Sequence, residues 1–457
     1  MRGLLAGAIM VIGPIISDAQ EARVLTFEET IKIALSNSVS LNQQKNQLEY
    51  NQAQKASAIA QFVPSVSANL QAAQFNGNSF NQQQGRVING IRDNISGSVN
   101  ANVVLFNGLS KISSLKAASK QVEAQSYFVK RTSQDVINTV SAQYLQILLD
   151  VELYRIAEKN LETQKKQLEQ VKAQVELGSR PPVDEPNQLA TTNGAELRLI
   201  QAEVALNNDK ALLKSTLLLD PFVDFEVKKP EWDLNEILSD NRNHEELFEA
   251  AKENRGDLLR ALNQEEASLF NMNATRANMT PTLLAFFNLG SSFNFQHGIP
   301  DSVLAREPSI NRPFGSQFGT DNIYKSYGLQ LSIPLFNGFQ SRTNYYQQKV
   351  LYRNSKLNRS NAEILAKTDV FRTYQNLQTQ KKTYTVSQSQ FSAAEVAFQL
   401  ESERYNLGIT NFVDYVRANQ AYVQAETDLA QAEFRLLFQK VLVEYATGTL
   451  KIEDLQD

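Results

Sequence analysis

Gly108 and Gly178, and again Gly338 and Gly408, bound two equally long stretches that contain neither glycine nor proline. Glycine and proline are the strongest punctuators of helical structure, so each stretch is free to form one helix about 100 Å long at ~1.5 Å per residue. Apolar side chains in the first stretch fall at Val140, Tyr144, Ile147, Val151, Tyr154, Leu161, Leu168, Val171 and Val175. Their spacing of three, four or seven predicts a narrow coiled-coil seam. The other faces carry Gln, Asn, Lys and Glu, as in Gln164-Lys165-Lys166-Gln167. A thin apolar seam with a polar back suits a helix standing in a wall beside its neighbours, not one wrapped round a dry core.

The two stretches are copies. Leu105-Phe106-Asn107-Gly108 recurs as Leu335-Phe336-Asn337-Gly338, and Leu177-Gly178 with Val183-Asp184 recurs at the same offset as Leu407-Gly408 with Val413-Asp414. Upstream, Glu28, Ala34, Asn37, Leu41, Gln47 and Pro64 recur at a second, smaller offset as Glu245, Ala251, Asn254, Leu258, Gln264 and Pro281. The difference between the two offsets places a longer loop in the second copy between Pro281 and Leu335. An internal repeat of this size sets the whole architecture. The first copy spans 20–220, with strands expected at about 65–84 and 92–106, a long helix at about 110–177 and a return helix at about 185–219. The second spans 241–448, with strands at about 281–296 and 325–337, a long helix at about 340–407 and a return helix at about 411–446. Residues 27–62 and 244–279 read as helices leading into the repeat, 221–240 as an irregular connection and 449–457 as a polar tail.

The strand candidates alternate apolar with small polar residues, as in Tyr327, Leu329, Leu331, Ile333 and Leu335 set against Gly328, Gln330, Ser332 and Pro334. No charged residue occurs in 56–85, 94–110 or 277–300. Strands of about ten residues with one wholly apolar face are what a membrane barrel requires. A soluble sandwich strand also alternates, but it commonly carries Lys or Glu on its wet face. Phe287, Phe293, Phe295, Tyr324 and Tyr327 are candidates for an interfacial aromatic girdle, and the loop 298–325, with Pro300, Pro308, Pro313 and Gly315, is expected to face the exterior.

Arg2, the apolar run Gly3–Ile16 and Ser17-Asp18-Ala19 read as an export signal over 1–19. No other apolar run reaches the length of a membrane-spanning helix, so membrane contact falls to the strands. The 45 basic and 49 acidic residues leave a net charge of −4, which offers no field for nucleic acid. There is no cysteine, and the two histidines, His244 and His297, stand apart in the sequence. With no P-loop and no hydrolase motif in a suitable context, no enzyme, metal or cofactor is expected.

Open strand edges are costly in lipid, and four strands are too few to close a barrel. The chain is therefore expected to share its barrel in a cyclic homo-oligomer of two or three copies.

Two tandem helix–strand–strand–long helix–turn–helix units, with LFNG opening each long helix, resemble the TolC-like outer membrane efflux proteins. The matching hairpin tips Glu176-Leu177-Gly178-Ser179-Arg180 and Arg404-Tyr405-Asn406-Leu407-Gly408-Ile409-Thr410 add to the likeness. The resemblance implies an α+β membrane protein, a homotrimer whose twelve-stranded transmembrane β-barrel continues into a long periplasmic α-helical coiled-coil barrel. It implies a passive exit duct in outer-membrane lipid, serving a tripartite efflux pump or type I secretion system. A periplasmic adaptor and an inner-membrane pump of RND or ABC type would be its partners. The alternative is a soluble periplasmic coiled-coil scaffold.

By the same resemblance, Leu177, Gly178, Ser179, Arg180, Leu407, Gly408, Ile409 and Thr410 form the adaptor-docking tips. Leu177 and Leu407 are expected to pack at their turns, with Arg180 and Thr410 at matching exposed positions. Asp184, Asp414, Tyr405 and Arg417 belong to a periplasmic constriction. The family's usual gate has a basic residue where Thr410 stands and an acid where Arg417 stands. An Asp414–Arg417 pair, at i,i+3 on one helix, is the expected substitute.

Overall fold

The computed structural model describes residues 23–81, 85–230, 232–297 and 311–450. The expected signal 1–19, Pro300 and Pro308 of the long loop, and residues 451–457 of the tail lie outside them. In chain order the elements are β1 (Arg23–Leu25), α1 (Phe27–Asn37), α2 (Val39–Ala60), β2 (Ser65–Asn81), β3 (Arg86–Phe106), α3 (Ser110–Glu176) and α4 (Asp184–Leu217). There follow β4 (Phe225–Val227), α5 (Leu234–Ser239), α6 (His244–Asn254), α7 (Gly256–Ala277), β5 (Thr282–Gln296), β6 (Tyr324–Ser332), α8 (Gln340–Asn406) and α9 (Phe412–Thr447). Both long helices, α3 and α8, have 67 residues.

Each leading block holds two helices. Ser38, ending α1, and Arg255, preceding α7, both leave the helical region with ψ of 115° and 114°. The two breaks occupy the same position of the repeat, directly after the matching Asn37 and Asn254. The connection 221–240 is also more ordered than its prolines indicate, since it holds β4 and α5.

LFNG has a conformational meaning. Gly108 and Gly338 have φ of +65° and +62°, and the residues after them, Leu109 and Phe339, are left-handed too, at +68° and +63°. Two successive left-handed residues turn the chain sharply from sheet into helix, and glycine removes the steric cost at one of them. At Gly108 space is also short: a Cβ there would lie 1.9 Å from Thr280 Oγ1.

The chain divides into two compact units, one of residues 1–42, 133–251 and 369–457, the other of 43–132 and 252–368. The first is helical around an apolar core that includes Leu25, Ile31, Tyr144, Ile147, Leu213, Leu217, Leu436 and Val441. Its two short strands, β1 and β4, pair in parallel. Buried Tyr144 fastens them: its hydroxyl lies 2.8 Å from the Leu25 carbonyl and 2.7 Å from that of Lys228. Burial pushes the phenol up to about 12, so it stays a neutral donor. Phe27 packs edge-on against both Tyr144 and Trp232.

The seam expected on α3 is largely buried, with Val140, Tyr144, Ile147, Leu161 and Val171 at 6% exposure or less, whereas Val151 is exposed. Gln164 and Gln167, expected on the polar back, are buried as well. Gln164 falls on the heptad-like spacing after Leu161, and its Oε1 accepts from Gln188 on the neighbouring helix.

The second unit holds a four-stranded antiparallel sheet in the order β2-β3-β5-β6. Its register separates most side chains by polarity. Val66, Ala68, Leu70, Ile95, Val99, Ala101, Phe287, Leu289, Phe293, Tyr327, Leu329 and Leu331 share one face. Ser67, Asn69, Gln71, Asn94, Ser96, Ser98, Asn100, Asn288, Ser292, Asn294 and Ser326 share the other. Carboxamides link strands across the polar face, Asn94 donating to Asn294 Oδ1 at 2.8 Å and Asn288 to Ser326 Oγ at 3.2 Å. Tyr324 does not join the other girdle candidates: it pairs with Gly290 on the polar face, where a Cβ on Gly290 would lie 2.4 Å from its ring.

Strand β3 begins at Arg86 and so includes Arg92 and Asp93. Strand β6 stops at Ser332, short of the expected 337, because Pro334 has no N–H for the ladder. At the other end β6 pairs no farther than Tyr324 with Gly290, which leaves Ser292, Asn294 and Gln296 with an open edge. Three carboxamides take the place of a strand there. Asn322 donates to the Ser292 carbonyl at 2.7 Å; Gln317 accepts from the Asn294 N–H at 3.2 Å and donates to its carbonyl at 3.0 Å. Asn311 does the same for Gln296 at 2.6 and 2.9 Å. A primary amide offers the same donor and acceptor as a peptide, so the edge is satisfied without backbone pairing. The helical turn Phe314–Ser316 and π-turn Gln317–Asp321 that carry Gln317 lay Phe318 over Gly97, and Phe314 against Phe293, on the apolar face.

Candidate functional site

The two hairpin tips end alike. Gly178 (φ +72°) and Gly408 (φ +74°) close α3 and α8. In the first, Ser179 N–H donates to the Gln174 carbonyl at 2.9 Å and Gly178 N–H to that of Val175 at 3.0 Å. In the second, Ile409 donates to Arg404 at 2.9 Å and Gly408 to Tyr405 at 3.1 Å. This pair of bonds satisfies the last carbonyls of a helix and needs a left-handed residue at the glycine. A Cβ would meet nothing within 4 Å at either glycine, so conformation, not space, selects them.

Leu177 (82%) and Leu407 (74%) do not pack at the turns; they point outward with Ile409, Val183 and Val413 as an exposed apolar rim. Ser179 is exposed, its hydroxyl donating to the Gln174 carbonyl at 2.8 Å. Arg180 and Thr410, expected to be exposed, are both half-buried.

Arg180 instead crosses to the second hairpin. Its Nη2 donates to the Tyr405 carbonyl at 3.0 Å, and its guanidinium carbon lies 3.9 Å from the centre of the Tyr405 ring. Nη1 lies 3.9 Å from Asp184 Oδ2 at the start of α4. A planar cation that stacks and donates at once uses geometry lysine lacks. Tyr405 is fully buried, and burial raises its pKa while the Arg180 charge opposes the rise.

Beneath Tyr405 runs a set of aromatic rings that periodicity could have revealed. Phe391, Phe398 and Tyr405 on α8, and Tyr415 and Tyr422 on α9, are each spaced by seven. Tyr405 stacks on Tyr415 at 4.7 Å, Tyr415 meets Phe398 at 5.9 Å, Phe398 stacks on Tyr422 at 5.2 Å, and Tyr422 meets Phe391 at 5.8 Å. Burial pushes Tyr415 up to about 12. The first hairpin has Leu161, Leu168, Val175, Glu185 and Thr192 at the matching positions and a polar interior. Gln188 donates to Gln164 Oε1 at 2.9 Å, and the Thr192 hydroxyl to the Gln164 carbonyl at 3.3 Å.

Asp414 and Arg417 are placed differently. Asn411 caps α9 by accepting from Asp414 N–H at 2.9 Å and donates its own amide to Asp414 Oδ2 at 2.9 Å. The Arg417 side chain is 78% exposed, with Nη1 3.8 Å from Asp414 Oδ1. That pair lies along one helix and joins no second element. Neither histidine stands in an acidic or histidine cluster: His244 packs on Phe371 and Tyr374, and His297 meets Asp93 Oδ2 at 2.7 Å. No described helix is long and apolar enough to cross a membrane.

The family model for outer membrane efflux proteins matches residues 30–217 and 247–449, which cover both copies of the repeat. The chain belongs to the outer membrane efflux protein family. It is 18% identical to the outer membrane efflux protein BepC of Brucella suis over 455 residues, 99% of this chain and 92% of that one. It is 21% identical over 373 residues to the outer membrane protein TolC of Vibrio cholerae, 80% of this chain and 79% of that one. Among solved structures, VceC of Vibrio cholerae superposes with a TM-score of 0.78 at 15% identity, over 92% of this chain and 96% of that one. The open-state MtrE outer membrane channel of Neisseria gonorrhoeae gives 0.73 at 18%, over 93% and 89%.

The fold is thus that of the outer membrane efflux channels, with a β-barrel part built from the sheet and a helical barrel part. The protein resides in the outer membrane with a large helical part in the periplasm. That location removes the soluble periplasmic scaffold as an alternative. The family is one of efflux channels, not of enzymes.

Proposed function

We propose that three copies of this chain close a twelve-stranded barrel and form the passive exit duct of a tripartite efflux pump or type I secretion system. The observation that carries this reading is the sheet. Strands β2 and β6 are each paired on one side only, and one face is predominantly apolar, with Gln74, Asp93 and Lys325 on it toward the loop end. Lipid tolerates an apolar face but not unpaired N–H and C=O groups, so the edges of each copy must pair with those of the next. The polar, carboxamide-lined face then borders the lumen. Nothing in the sequence supplies a nucleotide site, so energy comes from an inner-membrane pump of RND or ABC type.

The exposed rim of Leu177, Leu407, Ile409, Val183 and Val413, with Gly178, Gly408, Ser179 and Thr410 shaping the turns, is the surface offered to a periplasmic adaptor. Asp184 and Asp414 stand at the starts of the return helices, where three copies would ring the duct with carboxylates. The latch of the closed tip is Arg180 against Tyr405. It joins the two hairpins of one chain, which Arg417 with Asp414 on a single helix does not.

The test is native mass in mild detergent, corrected for bound detergent, followed by conductance in planar bilayers. A mass of three mature chains with ohmic channels supports the duct; a monomer without channels refutes it.

A further inference from the structure

Strand register gives the polar face of the sheet an unusual charge inventory. Its described side chains are Ser, Asn, Gln, Thr and Ala, with a few apolar residues and glycines, and Arg92 is the one ionised group among them. Arg92 pairs with Phe75 on β2 and Gln296 on β5, near the loop end of the sheet and away from the strand ends that join α2 and α3. Its guanidinium carbon lies 5.6 Å from the Phe75 ring centre, and Nε is buried without a hydrogen-bond partner. The neighbouring acid does not neutralise it. Asp93 projects from the opposite face, where Gln74 Nε2 donates to one carboxylate oxygen at 2.8 Å and His297 Nε2 holds the other at 2.7 Å.

We infer that Arg92 forms a cationic ring at the outer mouth of the duct, a site for anions set in a wall of carboxamides. This rests on the proposed function, which turns the polar face to the lumen. A ring of fixed guanidinium groups raises the local concentration of anions and repels cations, as charged rings do in other pores. The adjoining Phe75 ring gives the site an apolar floor, so its preferred ligands are organic anions with a flat hydrophobic body attached to a carboxylate or sulfonate.

Reversal potentials across planar bilayers under a KCl gradient test this with the full-length native protein, Arg92→Gln and Arg92→Lys. Arg92→Gln should shift the cation-to-anion permeability ratio upward severalfold, since three charges leave the ring and each, ~10 Å from a passing ion in water, changes the local concentration of one ion by about twofold; Arg92→Lys should retain the native ratio. Because the chain has no cysteine, Arg92→Cys provides a single attachment point. A cationic thiol reagent should restore the native ratio, and a neutral one should not. Equal ratios for the native protein and Arg92→Gln, in channels of normal conductance, would overturn the inference while leaving the duct intact. Absence of channels from the native protein would overturn both.

Discussion

Arg180 and Tyr405 stand 225 positions apart in the chain, yet the guanidinium carbon lies over the phenol ring, 3.9 Å from its centre, and the group donates to the same residue's carbonyl at 3.0 Å. One side chain thereby ties the turn of the first hairpin to the last helical turn of the second. A charged hydrogen bond of this kind contributes about 1.5–3 kcal/mol, and the stacking adds to it.

Arg180→Gln should therefore weaken the closed tip. Bilayer recordings are expected to show an open probability raised about tenfold or more, since ~1.4 kcal/mol corresponds to one decade. Arg180→Lys keeps the charge but loses the planar stack, and should fall between the two. Unchanged conductance for both variants would remove the latch.

Arg417→Ala gives the contrasting expectation. Its ion pair with Asp414 is exposed and long, and exposed pairs contribute about 0–1 kcal/mol. Conductance and voltage dependence should match those of the native protein.

The two LFNG glycines should respond unequally to alanine. Both substitutions meet a left-handed backbone, costing about 1–2 kcal/mol. Gly108→Ala also drives a methyl group into Thr280, whereas Gly338 opens onto free space. Thermal unfolding followed by circular dichroism in detergent should show the larger loss for Gly108→Ala.

Asp150 introduces a pH dependence into the helical unit. It is buried on α3, with Gln146 donating to Oδ1 at 3.0 Å, and burial together with the nearby Asp209 carboxyl raises it to about 7. The folded state thus binds a proton more tightly than the unfolded one. Stability should be unaffected below about pH 4, where both states hold the proton, and should decline as pH rises toward and through 7. Asp150→Asn should flatten that decline in melting curves taken between pH 5 and 8.

Gln317→Ala removes the partner of both the N–H and the carbonyl of Asn294 and opens the β5 edge. Hydrogen exchange at Ser292–Gln296 should quicken, with a loss of about 1–2 kcal/mol confined to that segment. Global melting should barely move.

Much of this protein follows from its sequence alone. The duplication, the two uninterrupted helices, the glycines at their tips and the alternating strands are one-dimensional signals, because backbone preference and hydrophobic period act over neighbouring residues. The aromatic heptads of Phe391, Phe398, Tyr405, Tyr415 and Tyr422 were equally open to such reading. What only the tertiary structure decided depends on distant segments meeting. Nothing near Arg180 in sequence announces Tyr405, and the carboxamides of Asn311, Gln317 and Asn322 have no period that marks them as a substitute strand. Tyr324 and Tyr327 lie three apart, so alternation sets them on opposite faces, and pairing across the strands decides that Tyr327 is the one that joins Phe287 and Phe293. Gln164 reads as a solvent residue until Gln188, on α4, arrives to donate to its Oε1. A polar group is buried when its partners are present, and those partners lie on another helix.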